Sequence, residues 1–186
     1  IIMGYPGRTQ RYKTSVAVAT QQGYVYPRRL DVLGDAIRVL QAAGEQSEAK
    51  ALEVADRIKS LANVEKNAAG MIFGLRNNGT VAQKQHEEAQ FRKWAENGPH
   101  AAVLDEMLAL DEAEAATIER DTMMWFLAVL GDEMPLFSTL VEAAGALAAN
   151  PGEAVSPRLL RVLGDEQLTA DFEAIEAPIL RLLLAE

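Results

Sequence analysis

From Pro27 onward the apolar positions recur with the period of a helix. Leu33, Ala36, Ile37, Leu40 and Ala43 share one stripe, Asp35 and Arg38 fall off it, and Gly44 ends the pattern. A first helix is therefore predicted over about 28–43. Ser47 is placed to cap a second, whose stripe takes in Ala51, Ala55, Ile58, Ala62, Ala69 and Ile72 and which no proline interrupts before Asn77-Asn78-Gly79. That helix has about eight turns. Thr80 with Gln83 has the pattern of a capping box opening a third helix to about Asn97, charged through its middle (Lys84, Glu87, Glu88, Arg92, Lys93) and apolar at Phe91, Trp94 and Ala95. After Gly98-Pro99 come an apolar segment from Ala101 to Leu110, a helix over about Asp111 to Leu130, and another from Pro135 to Ala149 with Asn150-Pro151 as its stop. Ser156-Pro157 and Thr169 open two shorter ones.

The first 26 residues follow a different rhythm. Ile1 to Met3 read as a short strand, Gly4-Tyr5-Pro6-Gly7 as a turn, and Tyr12, Thr14, Val16 and Val18 alternate as a half-buried strand does. The expectation is a mainly α chain, a bundle of about seven helices preceded by a β-hairpin over residues 1–26. Two strands alone are marginal in water, so the hairpin is expected to belong to a sheet whose other strands lie elsewhere. Ile1 and the uncapped apolar run Ile179 to Leu184 read as cut ends, the chain then being an internal piece of a longer protein.

Composition narrows the chemistry. With 18 basic and 27 acidic residues, the formal net charge is −9, which repels a phosphate backbone and argues against a nucleic-acid partner. There are no cysteines, hence neither disulfides nor thiolate metal sites. No run reaches the roughly 18 apolar residues of a membrane span, and no membrane partner is expected. His86 and His100 are the only histidines, and neither has a second ligand at metal spacing, so no metal and no cofactor is expected. His86, followed by Glu87 and Glu88, reads as a solvated imidazole. Asp111, Glu112, Glu114, Glu119 and Asp121 read as acids at a helix start, favoured by the macrodipole, and Met123 to Leu127 as core.

One stripe runs against local propensity. Asn63, Asn67, Gly70 and Gly74 stand at i, i+4, i+7 and i+11 on the long helix, placing two amides and two missing side chains on one face. Each glycine costs a helix on the order of 1 kcal/mol relative to alanine. Either the glycines admit a neighbouring helix at short range while the amides face water, or the stripe is a polar notch for a ligand.

Two passages resemble a known family. Met3-Gly4-Tyr5-Pro6-Gly7-Arg8-Thr9-Gln10-Arg11-Tyr12 is similar to the hairpin that precedes the helical insertion in family forty-six of the serine peptidases, the bacterial dipeptidyl-aminopeptidases. Leu61 to Met71, followed by Gly74-Leu75 and the charged helix ending Phe91-Arg92-Lys93-Trp94, resembles that family's asparagine-x-x-lysine helix and its successor, with Val64 where many members carry an aromatic residue. The match covers residues 1 to about 97, and 98–186 show compatible helical character.

The resemblance implies a chymotrypsin-like double β-barrel interrupted by a helical insertion. Residues 1–26 would end the first barrel, and 27–186 would form the cap. The family's catalytic histidine and aspartate precede the hairpin and its serine follows the insertion, so no catalytic residue is expected here and the isolated chain is expected to be inactive. An asparagine of the family's cap binds the free α-amino group of the peptide substrate. Asn63 is the matching position, with Asn67 one turn on as second choice. The implied partners are a peptide substrate and the barrel domains of the same protein, with a homodimer left open, and the implied location is the periplasm or cell surface. The competing expectations are a stand-alone helical protein-interaction module and a bundle metalloprotein.

Overall fold

The computed structural model describes residues 12–131, 134–149, 164 and 170–184. The chain divides into two compact units, one comprising Ile1–Arg28 and Ala68–Ile118, the other Arg29–Asn67 and Glu119–Glu186. The expected strand Ile1 to Met3 and the turn Gly4 to Gly7 lie outside the described residues, as does the short helix expected at Ser156-Pro157.

In the first unit the second expected strand is a helix. Residues Ser15–Thr20 form α1, a π turn occupies Gln21–Val25, and α2 follows over Tyr26–Gly44. What alternation suggested as a strand is better satisfied at helical spacing, because Thr14 and Val18, four apart, are both buried together with Ser15. Distant acids hold this helix start. Thr14 Oγ1 accepts from the Ala17 N–H at 3.2 Å and donates to Asp111 at 2.5 Å. The Ser15 N–H and hydroxyl donate to the two oxygens of Glu88 at 2.5 and 2.7 Å. Negative charge at a helix N-terminus is favoured by the dipole, and these bonds satisfy donors that no helical carbonyl reaches.

The π turn has an identifiable cause. Tyr26 donates to Gln21, five residues back, and the next residue is Pro27, which has no N–H to give and whose ring would collide with the carbonyl four back in a regular helix. A second π turn, Phe172–Glu176, stands in the same relation to Pro178, with Ala177 donating to Phe172. Pro27 is thus an interior residue and not the first of its helix. Widening the turn ahead of it lets the helix pass through.

Helix α3 spans Glu48–Asn77 and opens as expected, with the Lys50 N–H donating to Ser47 Oγ at 3.1 Å. Gly79, at φ 58, turns the chain into α4, Thr80–Ala95. The expected capping box does not form. Gly79 takes the cap position in a left-handed conformation that costs glycine little, Thr80 is already helical, and Gln83 Nε2 donates to Glu87 instead. The residues expected as one helix over 111–130 belong to α5, Val103–Ala115, and α6, Ile118–Leu130, so the apolar segment before Asp111 is helical too. At the break the Thr117 hydroxyl donates to the Glu114 carbonyl at 3.2 Å, a local bond that competes with helix continuation. Asp111, Glu112 and Glu114 consequently sit in the last turns of α5, not at a helix start, and only Glu119 and Asp121 occupy the first turn of α6.

The second unit is built on the predicted face of α2. Leu33, Ala36, Ile37, Leu40 and Ala43 are buried, joined by Val32, and pack with Val54 and Leu61 of α3, Phe126 and Leu130 of α6, and Met134. Ile175, and Ile179 and Leu183 of α8 (Ala177–Leu184), complete this core. Of the expected core run in α6, Phe126 is buried and Met123, Trp125 and Leu127 pack against the core, but Met124 is exposed. On α3 the buried apolar positions are Val54, Leu61 and Ala68, seven apart, while Ala51, Ala55 and Ala69 of the expected stripe are exposed. Valine and leucine bury more apolar area than alanine, and they set the helix's rotation.

Two polar groups staple this unit. Helix α7, Pro135–Ala149, has the expected bounds, and the Leu136 and Phe137 N–H groups at its head donate to the two oxygens of Glu176 at 3.0 and 2.9 Å. The Glu176 side chain is fully buried. Lys50 is buried as well and bonds Asp171 at 2.6 Å and Glu53 at 2.9 Å. Burial works against its charge, but the two carboxylates prevail and raise its pKa above the ordinary lysine value. Arg29 lies over the Trp125 ring, 4.0 Å from its centre.

Candidate functional site

The amide and glycine stripe of α3 lies on the side of the helix away from the core. At about 100° per residue, Asn63, Asn67, Gly70 and Gly74 fall opposite Val54, Leu61 and Ala68. Asn63, Asn67 and Gly70 are exposed and Gly74 is half-buried. Among the described residues, no heavy atom beyond the local helix backbone comes within 4 Å of the position a Cβ would take at Gly70 or at Gly74. No neighbouring helix among the described residues therefore explains either glycine. A narrow strip without side chains, headed by two amides, is left open along an unbroken helix.

Chemically such a strip presents hydrogen-bonding groups without charge. Each amide offers one acceptor oxygen and two donor hydrogens. An oxygen of this kind accepts from an ammonium, and a bond to a charged donor is worth more than one between neutral groups. Removing side chains beyond the amides lets an extended backbone lie close to the helix. Gly70→Ala is expected to raise stability by about 0.5–1 kcal/mol, since the added methyl meets open space and the helix gains propensity. Equilibrium unfolding in urea measures this, and destabilisation would show that the glycine accommodates a packed neighbour.

Neither histidine belongs to α3. His86 is exposed on α4 with Nε2 2.9 Å from Gln90 Nε2, and His100 stacks on Trp94 with ring centres 6.0 Å apart. Among the described residues no three histidine, aspartate or glutamate side chains converge as a metal group would require. Sequence reasoning missed the roles of Asp111, Glu88, Asp171 and Glu176, because each meets its partner at a separation of 39 residues or more and no local pattern encodes such a contact.

A sequence model of the family described as Peptidase S46 matches residues 1–155. The chain belongs to that family. Within it, this chain is 35% identical over 109 residues to dipeptidyl-peptidase 7 of Capnocytophaga gingivalis, a stretch that is 59% of the chain and 15% of that relative. It is 29% identical over 153 residues to dipeptidyl-peptidase 7 of Porphyromonas gingivalis, covering 80% of the chain and 21% of the relative. An Asp/Glu-specific dipeptidyl-peptidase of C. gingivalis is 31% identical over 93 residues, 50% of the chain and 13% of the relative. The chain thus corresponds to about a fifth or less of each of these family members. The comparison with solved structures gives no match.

Proposed function

We propose that this chain is the helical cap of a serine exopeptidase that releases dipeptides from the free N-terminus of oligopeptides, with Asn63 receiving the substrate's α-amino group and Asn67 one turn beyond it. The observation that carries the proposal is the open amide strip of α3, which faces solvent and not the core. Family membership and relatives named as dipeptidyl-peptidases support it.

On this reading the bonds are cut by barrel domains outside the chain, and the chain itself supplies binding and measurement. An ammonium anchored on the Asn63 oxygen fixes the peptide's first residue, so the bond presented for cleavage is the one after the second. The bundle over the cleft excludes longer chains from threading through and sheds water around the charge-assisted bond. Export to the periplasm or the cell surface accompanies the reading.

The test uses the full-length protein and one peptide in two forms, with a free and with an acetylated N-terminus, and identifies products by mass spectrometry. Dipeptides are expected from the free form, with kcat/KM for the acetylated form lower by about a hundredfold or more, because acetylation removes the charged donor. Equal cleavage of both forms, or no dipeptide at all, overturns the proposal.

A further inference from the structure

The first unit contains a small depression that the cap reading does not use. Its volume is about 170 Å³, and Val18, Tyr26, Met71 and Leu75 give it an aliphatic and aromatic lining. Lys13 and Lys84 also line it, and among the described residues no acidic one does. In a chain where acids outnumber bases 27 to 18, a pocket whose described lining carries two lysines and no carboxylate stands out, although Glu87 beside it pairs with one of them.

The remaining lining is polar and neutral, from Gln21 and Thr80. Gln21 is the first residue of the π turn, so one wall is made where the helix is widened ahead of Pro27, and π turns are concentrated at functional positions. Glu87 accepts from Lys84 at 2.8 Å, and the Lys84 side chain is 20% exposed, held against the protein surface. Lys13 makes no ion pair with a described residue.

From this lining we infer a binding site for a small amphipathic carboxylate, its apolar group among Val18, Met71 and Leu75 and its carboxylate on the Lys13 and Lys84 ammonium groups. Size sets the class. A cavity of roughly 150 Å³ takes a benzene ring, and drug-sized ligands need about 300 Å³ or more, so this pocket accepts one ring or a short branched chain. Charge selects the acid, since a neutral amide of the same shape forgoes the charge-assisted bond to Lys13 and a second to Lys84, which Lys84 shares with Glu87. Such a group is carried by a free small acid or by the last residue of a peptide. The inference does not rest on the peptidase reading.

Ligand-observed NMR and calorimetry on the full-length protein test it, with benzoate against benzamide for the free acid and N-acetyl-phenylalanine against its carboxamide for a peptide end. At least one acid is expected to bind at least tenfold more tightly than its amide, and which one does so identifies the source. Lys13→Met and Lys84→Met, made separately, are each expected to weaken that binding about tenfold. Lys93→Met, an exposed lysine on the same helix as Lys84, should leave it unchanged. Because the readout is binding, it succeeds or fails apart from dipeptide release. Absence of binding, acid and amide binding alike, or an equal loss in Lys93→Met would overturn the site.

Discussion

Asn63→Ala in the full-length protein is expected to lower kcat/KM for dipeptide release by roughly 10- to 100-fold, as loss of a hydrogen bond to a charged donor of about 1.5–3 kcal/mol requires. Folding should not suffer. Asn63 is exposed, and alanine is the better helix former, so unfolding free energy should stay within about 0.5 kcal/mol or rise slightly. Steady-state kinetics on a free-N-terminus peptide, beside urea unfolding of the same preparation, separates the two effects. Asn67→Ala should have the smaller kinetic effect. If Asn63→Ala leaves kcat/KM unchanged, the ammonium contact assigned to this amide does not exist.

Glu176→Ala is expected to remove about 2–4 kcal/mol of stability. Two backbone N–H groups at the head of α7 lose their acceptors at once, each orphaned donor costing about 1–3 kcal/mol, and the truncated side chain leaves a void where the wild-type residue is fully buried. Glu176→Gln retains one good acceptor and should fall between. Urea unfolding followed by far-UV circular dichroism gives the numbers, and a loss below about 0.5 kcal/mol for the alanine variant would mean that water or other groups serve these donors equally well.

What the sequence made legible was local. The α2 face, the Ser47 cap and the bounds of α7 all depend on residues within a few positions of one another, so periodicity, a serine, a proline and an asparagine sufficed to locate them. Errors arose where two local patterns overlap or a distant group intervenes. Thr14 and Val18 satisfy both an alternating and a helical spacing over so short a window, and the acids that favour the helix, Glu88 and Asp111, are 73 and 97 residues away. The helical period was legible only from Pro27 onward, placing the helix at about 28–43, and nothing local announces a π turn ahead of it. The amide strip could be noticed because it defies propensity, but whether Gly70 and Gly74 met a neighbour required coordinates.

The carboxylate of Glu176 makes the head of α7 depend on a residue forty positions beyond Leu136. A shortened form stopping after Ala149 would keep every residue of α7 yet strip its first turn of its two acceptors, and would remove Ile175, Ile179 and Leu183 from the core they share with Phe126 and Leu130. Where a cut falls is therefore a poor guide to which helix it disables.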